Sequence, residues 1–235
     1  MITPSPFMPR HDPSVPGKKH YSIDTPYLRR GRIHSYAHQI EAVIEQSPAR
    51  VLEVGKGPGI VAAALRVAGI SVVTLDTQAE LESDLIGSVT SIPAPAASFD
   101  VSLCCQVLEH LPFTLFPVAL QELRRVTRNA LVISLPDITP HYYIDVQLPK
   151  LRHFNWHFSR AILLRPTRPL SVAFEQDGHF WEIGYKGSTL HDVTTSLKNG
   201  GWNLIRTWRV PEKPWHRFFL ATHRNRSSKH CISPS

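Results

Sequence analysis

Cysteine is scarce in this chain. There are three in 235 residues, two adjacent at Cys104 and Cys105 and the third near the end at Cys231. A neighbouring pair and one stray residue make no disulfide framework and match no zinc spacing, which fits a reducing cytoplasm. Long apolar runs are missing too. None approaches the ~18–20 residues that span a bilayer, and the proline-rich start does not read as a signal peptide. No His/Asp/Glu spacing suggests a dedicated metal site, so no metal is expected. The folded body also lacks a surplus of charge. Of the formal +7, residues 1–34 hold +4 (six Lys/Arg, two Asp) and residues 224–235 hold +3, leaving residues 35–223 neutral. A nucleic-acid face needs basic residues clustered on the fold, so no nucleic-acid partner is expected, and the basic ends read as solvated tails.

What the chain does have is concentrated between Arg50 and Asp76, RVLEVGKGPGIVAAALRVAGISVVTLD. Val51, Leu52 and Val54 suit a short buried strand. Gly55, Gly57 and Gly59 follow at alternate positions, as in a tight turn that lets backbone approach a ligand. The alanine- and leucine-rich Ile60 to Ala68 predicts a helix that Gly69 stops, and SVVTL predicts the next strand. A ligand over that helix start meets unpaired N–H groups and the positive end of the dipole. Asp76 closes the second strand, where a doubly wound sheet offers a carboxylate to ribose hydroxyls. The G-x-G-x-x-G register of a dinucleotide fold is absent, which disfavours a nucleotide-dependent oxidoreductase.

The glycines instead follow an acid, as E-x-G-x-G-x-G from Glu53, and SFDVSLCCQVLEHLPF (Ser98 to Phe113) comes later. Together these resemble the class I S-adenosylmethionine-dependent methyltransferases, in the small-molecule branch with the type 11 domain, over roughly residues 36–136 with a weaker echo to about 223. The resemblance implies a Rossmann-like α/β fold: a doubly wound seven-stranded sheet, mostly parallel, its seventh strand antiparallel, with helices on both faces. It implies S-adenosyl-L-methionine as cofactor. Glu53 would lie near the methionine amino group and Gly55, Gly57 and Gly59 against the methionyl and ribose parts. Asp76, with Thr77 beside it, would bind the ribose. Ser88 stands, after Gly87, where many relatives carry an acid for adenine, so adenine would lean on the Ser88 hydroxyl and the Val89 backbone, and Cys105 and Gln106 would flank the methionyl chain. Lys56 is unusual between the first two glycines and either pairs with the cofactor's carboxylate or points to solvent. Either cysteine as a nucleophile is rejected, since buried cysteine usually behaves as a small hydrophobe.

The remaining organisation follows from pattern. Residues 1–20 read as disordered, 21–223 as one methyltransferase domain and 224–235 as a disordered tail. Tyr21 to Gln46 predicts one or two helices, the second from about Ile33 with Ile40, Val43 and Ile44 inward. Third, fourth and fifth strands are expected at Leu85–Val89, Phe99–Cys104 and Ala130–Leu135, with a helix from about Leu115 to Thr127 before the fifth. Residues 137–182 read as an aromatic-rich acceptor or lid insert holding Tyr142, Tyr143, Phe154, Trp156, Phe158, Phe174, Phe180 and Trp181. A helix from an Ser188 N-cap to Lys198 and a hairpin of WNLIRTWRV and HRFFLATH complete the chain. For catalysis, His110 and His179 are candidate bases with Glu182 beside the latter, although His110 reads first as a residue that holds a loop. The expected activity is direct methyl transfer to an O or N atom of a small-molecule metabolite, without membrane contact. An inactive cofactor-binding interaction module is the alternative.

Overall fold

The computed structural model describes residues 26–147, 155–161 and 178–223. The expected disorder of 1–20 and 224–235, and the rings of Phe154 and Phe174, lie outside these. A 3-10 turn, Pro26–Leu28, leads into α1 (Arg30–Ile44). Its buried side chains are Ser35, Tyr36, Gln39, Ala42 and Val43, a stripe at three- and four-residue steps. Ile44 lies one step around the helix from that stripe and is exposed, against expectation, while Val43 is buried.

The sheet is built from β1 (Arg50–Val54), β2 (Ser71–Asp76), β3 (Leu85–Ile86), β4 (Phe99–Cys105), β5 (Thr127–Pro136), β8 (Trp202–Val210) and β9 (Lys213–His223). A separate antiparallel pair, β6 (His141–Gln147) with β7 (Asn155–Ala161), falls in the insert, where no strands were expected. The seven-stranded order is β3-β2-β1-β4-β5-β9-β8. β1 pairs in parallel with both β2 and β4, and β9 runs antiparallel between β5 and β8. This is the expected mixed sheet. Strand order reverses between β1 and β4, so the loops leaving their carboxyl ends open a crevice there.

Alternation along the strands feeds two cores. Leu131, Ile133 and Leu135 join Leu120 and Leu123 of α3 (Phe116–Val126) and Val193 and Leu197 of α4 (Leu190–Asn199). Ala130 and Val132 join Ala42 and Val43 of α1 and Val61 and Leu65 of α2 (Ile60–Val67) on the other face. Both faces are therefore covered, as a largely parallel sheet requires.

Two local readings need correction. The third strand ends at Ile86 rather than Val89. A Cβ at Gly87 would meet Pro93 Cδ at 2.9 Å, and the chain turns there, with Ser88 bridging back to Ser91. The last helix is capped by Thr189, not Ser188. The Thr189 hydroxyl accepts from the Asp192 N–H and the Asp192 carboxylate accepts from the Thr189 N–H, a reciprocal capping box. Ser188 donates instead to the Glu182 carbonyl at 2.8 Å.

Candidate functional site

The crevice is walled on one side by the turn between β1 and α2. Gly55, Gly57 and Gly59 all have positive φ (76°, 53° and 75°), the region that glycine enters without penalty. Gly55 has a second constraint. A Cβ there would sit 2.3 Å from Val107 Cγ2, so this turn packs directly on the segment leaving β4. The first glycine thus makes room for a neighbouring loop, a role the spacing alone did not reveal. Gly59 stands as N-cap of α2 with no side-chain cap, leaving the first N–H groups of the helix toward the crevice end.

Glu53 is the buried acid of this wall. Burial lifts its carboxyl to about 8, opposed by the charges of Arg66 and Lys56 and by the Ala62 N–H, and its Oε2 has no partner among the described residues. The Tyr36 hydroxyl is likewise buried and unpartnered; burial raises it to about 12, with Glu53 among the lesser causes. An acceptor and a phenol left without partners in a sealed place are expensive unless a polar ligand completes them.

Asp76 lies at the end of β2, half-buried. Burial raises its carboxyl, against the pull of the Gln78, Thr77 and Lys56 N–H groups, and Oδ1 accepts from Gln78 N at 3.1 Å. Lys56 lies at the turn between the first two glycines. Its Nζ donates to the carbonyls of Leu81 (2.8 Å) and Glu82 (3.0 Å), tying the glycine turn to the segment after β2. The Ser88 hydroxyl pairs with Thr90 Oγ1 at 2.8 Å, and Val89 is buried.

The opposite wall begins at the end of β4. Burial pushes the Cys105 thiol up, which agrees with rejecting it as a nucleophile. Gln106 adopts φ 56°, rare for a residue with a side chain, and is held there by its N–H on the Ser134 carbonyl (2.9 Å) and Nε2 on Ser134 Oγ (3.3 Å). A 3-10 turn, Leu108–His110, follows. Glu109 is fully buried with neither carboxylate oxygen partnered among the described residues, and burial lifts it to about 7, opposed chiefly by His179.

His179 reaches this place from far along the sequence because Gly178–Ile183 is stitched onto the β4 exit. His110 Nδ1 meets the Gly178 carbonyl at 2.9 Å, Phe180 N–H donates to the Glu109 carbonyl at 2.8 Å, and the Trp181 indole donates to the Leu111 carbonyl at 3.0 Å. Trp181 is fully buried against Phe113 and Phe116, so this ring is core and not an acceptor clamp. Phe180 is 54% exposed. His110 and His179 stack edge to face at 4.9 Å, and His179 Nδ1 meets Glu182 Oε1 at 2.8 Å. Sequence reading named His110, His179 and Glu182. It placed Glu109 beside His110 at the rim but gave it no role, and nothing in the spacing brings the two histidines together.

A glycine turn after β1, an acid ending β2 and a polar turn after β4 thus stand together on this strand order. Residues 52–133, about a third of the chain, match the family described as a methyltransferase domain. With the seven-stranded fold, this match supports the resemblance to the class I S-adenosylmethionine-dependent methyltransferase superfamily, whose cofactor is S-adenosylmethionine. Among solved structures, the fold is similar to the 1,6-didemethyltoxoflavin-N1-methyltransferase of Burkholderia thailandensis, bound to 1,6-didemethyltoxoflavin and S-adenosylhomocysteine. That likeness has TM-score 0.52 and 16% identity, over 81% of this chain and 77% of that one. It is also similar to the magnesium protoporphyrin IX methyltransferase of Synechocystis PCC 6803 with bound S-adenosylhomocysteine, at TM-score 0.53 and 13% identity, over 82% and 84%. A third is an S-adenosylmethionine-dependent methyltransferase of Clostridium acetobutylicum, at 0.55 and 11%, over 84% and 95%. No curated protein sequence matches the chain. No helix among the described residues is long and apolar enough to cross a membrane.

Proposed function

We propose that this protein transfers a methyl group to an O or N atom of a small-molecule acceptor, and that residues 21–223 are one domain whose 137–182 insert shapes the acceptor side. The observation that carries this reading is the packing of Gly55 on Val107, which sets the glycine turn beside the Glu109–His110 turn. Cofactor and acceptor chemistry then meet at one edge of the sheet. The low cysteine count fits a reducing compartment, and the cytoplasm is the proposed location.

The cofactor supplies an electrophilic methyl on a sulfonium. The protein's part is placement and handling of the acceptor's proton. Glu53, with its unpartnered Oε2, accepts from an ammonium group. Gly57 and Gly59 admit close backbone approach, and the Asp76 carboxylate accepts from two neighbouring hydroxyls. Ser88, Val89, Cys105 and Gln106 line the same crevice. An amine acceptor needs only its neutral lone pair. A hydroxyl acceptor must lose a proton, and the cluster around His110 and His179 draws it off.

Thermal shift with S-adenosylmethionine, S-adenosylhomocysteine and NAD in parallel tests this reading. A ligand at a hundredfold excess over its dissociation constant stabilises by ~2.7 kcal/mol. A shift with both sulfur compounds and none with NAD is expected, followed by methyl transfer in a panel of hydroxyl and amine metabolites. A shift with NAD alone contradicts it. Binding without turnover across the panel favours the inactive interaction module instead.

A further inference from the structure

We propose that Glu109, His110 and His179 form a site for a divalent first-row transition-metal ion, open on the side that faces the acceptor. One ligand atom from each of the three lies within 4.8 Å of the others. Metal bonds of ~2.0–2.2 Å hold tetrahedral donors ~3–3.5 Å apart, so a small side-chain rotation closes the set around an ion.

Two independent observations point to a cation. The Glu109 side chain is fully buried, belongs to this group, and has no partner for either carboxylate oxygen among the described residues. A buried carboxyl in that condition needs a positive charge beside it. Each imidazole, moreover, already carries the outer contact typical of a metal-ligating histidine. The Gly178 carbonyl can only accept, so His110 Nδ1 donates to it, which puts the lone pair of the neutral ring on Nε2. The Glu182 carboxylate fixes His179 the same way through Nδ1. Both rings therefore have their tautomer set, with the lone pair that ligation needs on Nε2.

The donor set selects the ion. Two imidazoles and one carboxylate favour Zn²⁺, Co²⁺ or Mn²⁺ over Mg²⁺ or Ca²⁺. Three protein ligands are one short of a closed structural zinc site and leave room for an exogenous oxygen. Sequence reading expected no metal because no His/Asp/Glu spacing suggests one, and His110 and His179 are far apart in the chain. Only the stitching of Gly178–Ile183 onto the β4 exit makes them neighbours.

The acceptor class deepens the methyl-transfer reading and rests on it: a metal here calls for a hydroxyl rather than an amine. A cation against the hydroxyl makes it more acidic, so its proton leaves to water and the two histidines serve as ligands in place of acting as bases. The O–C bond then forms as the S–C bond breaks, with that electron pair staying on sulfur.

The test uses the full chain after chelator treatment, with no methyl donor present. Titration with Co²⁺, followed by its visible absorption, and with Zn²⁺, followed by calorimetry, should show one site that excess Mg²⁺ does not displace. His110→Ala and His179→Ala should each weaken binding at least ~10-fold, and Glu182→Gln by about 10–100-fold through the outer contact. The exposed-site control His191→Ala should leave it unchanged. All four variants should keep the thermal shift with S-adenosylhomocysteine, which shows that they are folded. Wild type that takes up neither ion overturns the site, as does unchanged binding in both histidine-to-alanine variants at the site. Metal uptake with no S-adenosylhomocysteine shift would keep the site and overturn the methyl-transfer reading.

Discussion

At the scale of single residues, Glu53 and Gly57 carry the sharpest expectations. Glu53 holds its proton in the fold up to about 8 because it is buried, whereas in the unfolded chain it ionises near its ordinary value of 4.5. Its folded value is raised, so its contribution to stability is complete below pH 4.5 and is lost as pH rises toward 8. Glu53→Gln cannot ionise and should flatten this part of the profile. Melting temperatures of both proteins from pH 5 to 8 check it. The wild type should fall relative to the variant as pH rises, and parallel curves would contradict the burial account. Gly57→Val puts a β-branched side chain at φ 53°, a conformation disfavoured for L-residues by ~1–2 kcal/mol, in the turn assigned to the cofactor. It should remain folded, judged by circular dichroism, and lose the S-adenosylhomocysteine shift; normal binding would remove Gly57 from the site. The glycine turn and the acid before it were readable from E-x-G-x-G-x-G. Lys56 was not, because its carbonyl partners sit beyond the next strand and no local pattern announces them. The position of Glu109 at the rim was legible but its burial was not, since a carboxylate in LEH looks like any turn acid.

At the scale of elements, strands and helices followed from periodicity where one face is buried. α2, α3, β4 and β5 fall within a few residues of their expected bounds. The misses have physical causes. β3 is cut short by the close approach of Gly87 to Pro93, and the start of α4 moved one residue because Thr189, not Ser188, finds the reciprocal partner at Asp192. The β6–β7 pair went unseen because strands were not expected in a segment read for its rings. One tertiary lock between elements left no trace in the sequence. Asp137, just past β5, is fully buried and accepts from Arg217 Nε of β9 at 2.5 Å and pairs with Arg209 of β8 at 2.7 Å. It also caps the Thr139 N–H at 2.9 Å, fixing the exit toward the insert. Asp137→Ala leaves two nearly buried guanidinium groups without their anion, and breaking a buried pair from one side is destabilising by ~3–5 kcal/mol. Urea unfolding should show a loss of that size. A loss under ~1 kcal/mol would mean that the arginines find other partners.

For the molecule as a whole, the sequence patterns led to a doubly wound sheet because local glycine chemistry, strand hydrophobicity and the final hairpin all agree on it. The half proposed to hold the cofactor is encoded contiguously, from Glu53 to His110, so a linear reading reaches it. The half proposed to face the acceptor is assembled from the β4 exit and Gly178–Ile183, which meet only after folding, so no linear pattern announces it. The central claim is that the turn from Glu53 to Ile60 cradles the adenosyl sulfonium compound while Asp76 grips its ribose. A crystal structure of the complex with S-adenosylhomocysteine tests it most directly. The account predicts the nucleoside across Gly55–Gly59 with its ribose hydroxyls on the Asp76 carboxylate. A nucleoside bound anywhere else, with those glycines facing solvent, would contradict it.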